Sequence, residues 1–500
     1  MTYLITPSKL YAYLQCPHRP WRDLYGPQEE KIKETNPFVE MLWEKGVQHE
    51  KDVIGGIGAI LDLSNPDKDT QFARTLEAMR NKTPLIYHGY IRYNDLAGEP
   101  DLLRLMPDGT YLPIDIKSGR GLEGVSEEEE NPGKPKKHYA VQLALYAEVL
   151  IALGFAKDKM GIIYDIDHNE TLYELGKPMG VRNHATWWDL YQETKNEVRH
   201  LLNNEARNEP ALSGACKLCP WYDSCKGWCT KNHDLTTLFY LGRSIRGTLA
   251  HDLELKTVEE LRDLDIAIAM GKKAGNKSFL RGIGEPTLKK LQTRAKVLAD
   301  IKKPVVNGEI HFPQVDYELY FDIEDDPTQS FVYLHGVYER SPNGSRFIPF
   351  VAKEKTPEAE EQAWKGFISY LKNLPQDKWC LYYYSHHEVT TYHRMQKQYP
   401  DVILLEELDY LLSPERAIDL YSQYILKMTD WPLYSYSLKD IAKYLGFSWR
   451  DISPSGALSI QWFNEYLKDK NPTKLRRIID YNEDDCKATM VIKDYLEKSK

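Results

Sequence analysis

The chain has 500 residues, 42% of them hydrophobic and 28% charged, which is material for more than one core at roughly 150 residues per domain. A formal charge of -9, from 65 Lys+Arg against 74 Asp+Glu, excludes a basic field over the whole protein, so any grip on a polyanion must come from local patches or bound metal. Mean hydropathy is -0.55 and no apolar run reaches about 18 residues, which argues against a membrane span.

The start, MTYLITPSKLYAYLQC, is broken by Pro7 and Lys9; it does not read as a secretory signal, and a cytoplasmic location is expected. Three zones of an α/β chain follow. Residues 1–232 mix strands and helices, 233–305 are helical, and 306–500 return to strands before ending in helices. In the first zone EKGVQHE places His49 on a helix, three residues after Gly46. GEPDLLRLM (98–106) and TYLPIDIKSG (110–119) flank the turn Pro107-Asp108-Gly109 and form a β-hairpin. Asp115 and Lys117 are two apart on a strand and leave the same face, with Asp101 on the partner strand. Two carboxylates and a lysine on one face suit Mg2+ or Mn2+ and an attacking water, the ammonium offsetting developing negative charge. The acidic stretch 126–137 reads as a solvated loop. HYAVQLALYAEVLIALGF (138–155) is an amphipathic helix with Gln142 and Tyr146 at i, i+4.

Four of the seven cysteines crowd into CKLCPWYDSCKGWC, at Cys216, Cys219, Cys225 and Cys229. An odd total with this crowding points to metal rather than to a disulfide framework. Spacing leaves two arrangements open. One is a local zinc site of these four; the other is an iron–sulfur cluster held by three of them with Cys16.

Residues 233–305 carry 14 Lys+Arg against 9 Asp+Glu, a local excess of +5 that leaves -14 for the rest of the chain. Within them Gly282-Ile283-Gly284 opens a helix bearing Lys289, Lys290, Arg294 and Lys296. Backbone amides at such a turn can dock a phosphate. The last zone begins with strands at 315–324, 331–339 and 346–352, then a helix at 357–373, a strand at 379–385, and helices. Asp322 and Glu324 share one face of its first strand, and carboxylates on the inner face of a buried strand call for metal. Tyr481 and Asp485 lie over one another at i, i+4 on the last helix. No G-x4-G-K-[ST] motif occurs, so the chain is not itself an ATP-driven motor.

Gly-x-x-His, Glu-Pro-Asp, Asp-Ile-Lys and Gln-x-x-x-Tyr, in this order, resemble the RecB-like branch of the PD-(D/E)XK nucleases, which have a restriction-endonuclease-like fold. The resemblance implies metal binding by His49, Asp101, Asp115 and the Ile116 carbonyl. It implies a catalytic role for Lys117, with Gln142 and Tyr146 bracing the site or the DNA. Iron–sulfur members of that branch, including the CRISPR-adaptation nucleases, pair one N-terminal cysteine with a Cys-x2-Cys-x5-Cys trio. Cys16, Cys216, Cys219 and Cys225 match it, which implies a 4Fe–4S cluster stapling the domain ends and leaves Cys229 surplus. The glycine turn resembles a helix-hairpin-helix, implying sequence-independent DNA contacts by Gly282, Gly284, Lys289 and Lys290.

The strand and helix order of 306–500 is that of a ribonuclease-H-like domain. Its acids and tyrosine resemble the tyrosine subtype of DnaQ-like (DEDD) exonucleases. That family uses two divalent ions about 4 Å apart, the tyrosine helping to orient the water. Its middle motif supplies a further Asp where this chain has Glu388, a departure that leaves the activity of this domain open. Taken whole, the chain resembles bacterial RecB-like nucleases in which such a domain follows. A metal-dependent DNA nuclease is implied, acting on single strands or ends in repair, processing or defence, with RNA still open and a helicase partner from family precedent. The alternative is a DNA-end-binding scaffold in which one nuclease site, or neither, works.

Overall fold

The computed structural model describes residues 3–33, 37–65, 67–124, 133–180, 183–453 and 455–499. Residues 126–132 of the acidic stretch lie outside them. The chain divides into two compact units, Met1–Pro210 with Gly214–Cys225, and Ala211–Ser213 with Lys226–Lys500.

The first unit is built on six strands that lie side by side in chain order: β1 (Leu61–Asp62), β2 (Leu85–Tyr87), β3 (Leu102–Leu105), β4 (Tyr111–Ile116), β5 (Met160–Tyr164) and β6 (Glu170–Glu174). β3 and β4 form the expected antiparallel hairpin. Its turn closes on Gly109, whose φ of +84° few other residues tolerate and whose amide donates to the Met106 carbonyl at 2.9 Å. β4 is buried at all six positions, as a central strand covered on both faces must be. β5 runs parallel to β4, and the helix Lys137–Ala152 makes the crossover that parallel pairing requires. That helix departs from the amphipathic expectation. Ten of its residues are buried, from Tyr139 to Leu150, because the sheet lies on one side and the helices Pro7–Gln15 and Trp187–Leu202 cover others. Each fully buried leucine on it contributes roughly 1.5–3 kcal/mol.

In the second unit the helical segment has a core of its own, with Leu235, Leu249, Leu261, Leu288 and Leu291 at its centre. The following sheet has the strands β7 (Tyr317–Asp326), β8 (Phe331–Ser341), β9 (Gly344–Val351), β10 (Trp379–Tyr383) and β11 (Ala417–Asp419) in the order β9-β8-β7-β10-β11. The first three form an antiparallel meander, and β10 and β11 join parallel. Leu319, Phe321 and Ile323 send one face of β7 into a core with Trp364, Phe367 and Tyr392. The alternate positions, including Asp322 and Glu324, therefore face the other way, towards the 27-residue helix Pro472–Lys498. A register shift after Glu324 breaks the ladder beside these acids, a common place for a bulge.

Candidate active sites

In the first unit Asp101 falls at a bend one residue ahead of β3 rather than within the strand. Its Oδ2 accepts the Ile116 amide at 2.6 Å, which ties the bend to the end of β4. There Asp115, 1% exposed, pairs with Lys117. Burial and the neighbouring Asp115 push the Asp101 carboxyl well above the usual range, with Lys117 offsetting part of the effect. Burial also works against the charge on Lys117, yet Asp115 and Asp101 outweigh it and hold the ammonium above its usual value. Two carboxylates facing one lysine leave negative charge that a divalent cation would neutralise when both are ionised, so the donor set fits such an ion.

His49 lies on the helix Pro37–Gly56 and is 7% exposed. Its ring stands 5.7 Å from that of His168, and its Nε2 has no hydrogen-bond partner. The structure does not gather His49, Asp101 and Asp115 into the tightest cluster. Among the described residues, the first-unit group whose ligand atoms converge within 4.8 Å is Glu50, His88 and Asp101. Successive helical positions turn by about 100°, so Glu50 points where His49 does not. Gln142 donates to the Tyr146 hydroxyl at 3.0 Å, which in turn donates to the Glu99 carbonyl at 3.3 Å. Tyr146 is buried and fills the space beside Gly98, where a Cβ would come within 2.5 Å of its ring. It stands under the segment that carries Asp101.

Cys225 and Cys229 lie one turn apart on the helix Tyr222–Lys231. Cys16, Cys216, Cys219 and Cys225 belong to the first unit, Cys229 to the second. Burial pushes the Cys225 thiol up to about 11, with Arg22 opposing and Cys16, Cys219 and Cys216 adding to the rise. The other three thiols are thus within electrostatic reach of Cys225. Trp221 donates to Asp23 at 2.9 Å, and Arg22 stacks on Trp221 and reaches Glu30 at 2.6 Å. The two ends of the unit are tied together at this point. Cys229 is buried, with the Thr236 hydroxyl donating to its Sγ at 3.9 Å.

The glycine turn is present. Gly282 has φ +78°, and Gly284 caps the helix Glu285–Lys296. Its basic residues are not all turned outward, contrary to the expectation of a row of DNA contacts. Lys290 and Arg294 reach the buried Asp430 at 3.0 and 3.1 Å, since leaving that carboxylate unpaired would be costly. Lys289 pairs with Glu285 at 2.7 Å.

In the second unit the ligand atoms of Asp322, Glu324 and Asp485 converge within 4.8 Å. Asn482, one residue after Tyr481, donates to Asp322 at 2.8 Å and to Glu324 at 3.4 Å. Trp449 donates to Asp485 at 2.7 Å. Lys439 donates to the Tyr481 hydroxyl at 2.6 Å and stands 4.0 Å from Asp485. Burial raises all the acids. Asp485 and Glu324 add to the rise at Asp322, and Glu324 reaches about 8. Glu388 lies outside the trio but is buried, is held at about 7 chiefly by burial, and its charge is felt at Asp322. Lys439, Asn482 and Trp449 carry no motif of their own. Only Asn482, adjacent to Tyr481, lay where a motif directs attention.

Each site thus sets buried carboxylates beside one lysine, the arrangement of a metal-dependent phosphodiester hydrolase. Residues 33–226 match the family model of the PD-(D/E)XK nuclease superfamily, and residues 319–497 match that of the RNase_H superfamily. A search among curated proteins finds no match. The chain joins a PD-(D/E)XK nuclease superfamily domain to an RNase_H superfamily domain, and it is a metal-dependent nuclease. No helix among the described residues is long and apolar enough to cross a membrane.

Proposed function

We propose that the protein cuts DNA, as single strands or at ends, through the Asp101–Asp115–Lys117 site, in repair, processing or defence. The observation that carries this reading is the pairing of the buried Asp115 with Lys117, tied through Ile116 to Asp101. A divalent ion, Mg2+ or Mn2+, supplies Lewis-acid stabilisation and an activated water when bound. Asp101, Asp115 and the Ile116 carbonyl would hold it. Lys117 keeps its proton, orients the nucleophile at Nζ and offsets charge building on the phosphate. In the second unit Asp322, Glu324 and Asp485 would hold metal, with Glu388 facing them. Tyr481, fixed by Lys439, orients water. Cys16, Cys216, Cys219 and Cys225 would hold a 4Fe–4S cluster that staples the first unit. The influence of Cys16, Cys216 and Cys219 on the Cys225 thiol supports that set.

A second reading, binding without cleavage by the ribonuclease-H-like domain, draws on Glu388 standing outside the convergent trio. The test is degradation of end-labelled DNA and RNA strands by wild type, Lys117→Ala and Asp322→Ala. Loss of DNA cleavage in Lys117→Ala supports the proposal; cleavage of RNA alone overturns it. If Asp322→Ala cuts like wild type, the second reading holds for that domain. Glu388→Asp, which restores the acid of the DnaQ-like motif, should keep or raise any trimming of 3′ ends.

A further inference from the structure

The residues ahead of Gln142, Lys134-Pro135-Lys136-Lys137-His138-Tyr139, interleave lysines with aromatic rings, and none of them belongs to the motifs. They open the helix Lys137–Ala152 against the usual placement of charge. Lys136 is its N-cap, and its first turn holds no acid and no side-chain cap, although the positive end of a helix dipole favours anions there. Lys134 reaches Glu123 at 3.3 Å. Lys136 feels Glu123 and Asp165, yet burial still lowers its ammonium below the ordinary lysine value. Positive charge at this end of the helix is therefore only partly met by the described residues.

A row of rings runs from here to Lys117. Tyr11, on the helix Pro7–Gln15, is 46% exposed and meets the His138 ring edge to face at 5.5 Å. His138 meets Tyr139 at 4.3 Å, and the ammonium groups of Lys136 and Lys117 lie 5.1 and 5.8 Å from the centre of the Tyr139 ring. Gly119, two residues after Lys117, lies against the same pair: an added Cβ would stand 3.4 Å from the Tyr139 hydroxyl and 3.7 Å from Lys136 Nζ. Burial, with Lys136 and Lys117 adding to it, pushes the His138 ring down to about 4. At neutral pH that ring is an uncharged aromatic surface beside two cations. Aromatic rings alternating with ammonium groups suit a single strand, whose bases stack on the rings while its phosphates pair with the lysines. A duplex keeps its base faces to itself and cannot use the rings.

We propose that Tyr11, His138 and Tyr139, flanked by Lys136, form a track that takes the bases of a single DNA strand and leads its backbone to Lys117. A base stacks on the exposed Tyr11 ring, and phosphates pair with Lys136 and Lys137. The proposal rests on the nuclease reading of the first unit and narrows its substrate to unpaired strands.

The test uses full-length protein carrying Asp322→Ala, so that cleavage reports the first unit. Binding of labelled oligothymidine is followed by fluorescence anisotropy in EDTA, where nothing is cut, and cleavage of the same strand in Mg2+. Tyr11→Ala should weaken binding and raise KM roughly tenfold, the scale of one lost base–aromatic stack, with kcat unchanged. Tyr11→Phe, which keeps the ring, should match its parent. Lys136→Gln should lower the slope of log K on log salt by about 0.7, one phosphate contact on a single strand. A blunt duplex, and a strand with abasic nucleotides in place of its bases, should bind the parent and Tyr11→Ala alike. An unchanged KM in Tyr11→Ala overturns the proposal, and so does an equal loss on the duplex or the abasic strand. Alanine suits the half-exposed helical position of Tyr11, and His138→Ala gives a second reading in which the same loss on single strands is expected. If Lys117→Ala in this background leaves cleavage unchanged, the nuclease reading fails by itself, and the anisotropy of Tyr11→Ala still judges the track.

Discussion

Raising the pH without divalent metal should destabilise the second unit. Burial lifts the carboxyls of Asp322, Glu324, Glu388 and Asp485 above their ordinary range. Glu324 titrates at about 8 and Glu388 at about 7, against 4.5 for an ordinary glutamate. Between pH 5 and 7 the unfolded chain has released these protons while the native unit keeps them. The native state binds more protons, so stability falls as pH rises. One retained proton is worth about 1.4 kcal/mol per pH unit, so two of them over two units amount to roughly 5 kcal/mol. The fall begins near the unfolded pKa, and the part due to Glu324 and Glu388 levels off above about pH 8. Metal favours the ionised carboxylates and stabilises the fold by mass action. The assay is a series of urea melts of the full-length protein in EDTA from pH 5 to 8, repeated in Mg2+ and with Glu324→Gln. The midpoint of the second unit should drop with pH in EDTA, and the drop should shrink in Mg2+ and in the variant. A flat or rising midpoint between pH 5 and 7 in EDTA would refute the claim that these acids keep their protons.

Lys117→Ala should lower Mg2+-dependent cleavage by the first unit at least about a hundredfold, the scale of one lost charge stabiliser in a dry site, while circular dichroism shows the fold intact. Anaerobically purified protein should be brown, with broad absorbance near about 400 nm from thiolate-bound iron. Cys16→Ser should bleach it and Cys229→Ser should not; a colourless protein with one zinc, indifferent to Cys16→Ser, points to the local site instead. Gly336→Ala should destabilise the second unit by roughly 1–3 kcal/mol in urea melts, because its Cβ would sit 1.7 Å from Asn482 Oδ1 and 2.9 Å from Phe347. The displaced Asn482 should also weaken Mn2+ binding at Asp322 and Glu324.

The legible parts were those that short-range periodicity carries. Asp322 and Glu324 are two apart on a strand, Lys117 follows Asp115 by two just past the end of β4, and Tyr481 and Asp485 are four apart on a helix, so face and chemistry follow largely from spacing. The β7-β8-β9 meander and the helix after it were equally plain, the latter opening at the Thr356 cap and Pro357. β11 escaped notice because Ala417–Asp419 is too short to show a period. The near-complete burial of Lys137–Ala152 depends on what surrounds it. The other misses turn on contacts far apart in sequence. Lys439 meets Tyr481 across 42 positions, Lys290 meets Asp430 across 140, and Glu50 meets His88 across 38. His88 also needs a left-handed backbone, which Gly89 after it hints at without fixing.

The two sites solve one electrostatic problem in different ways. In the first, Lys117 pairs directly with Asp115, so the cation already sits among the carboxylates and one acid, Asp101, is left with a raised pKa. In the second, Lys439 is bonded to Tyr481 and stands 4.0 Å from Asp485, so several acids stay protonated instead. Metal entering the second site must displace more protons than metal entering the first. Affinity there should therefore fall more steeply as pH drops, because each displaced proton adds a factor of about ten per pH unit. Mn2+ titrations of Asp322→Ala and Lys117→Ala at pH 6 and 8 compare the two dependences. The steep component should vanish with Asp322, and a steep dependence that survives Asp322→Ala would place the proton-rich site in the first unit.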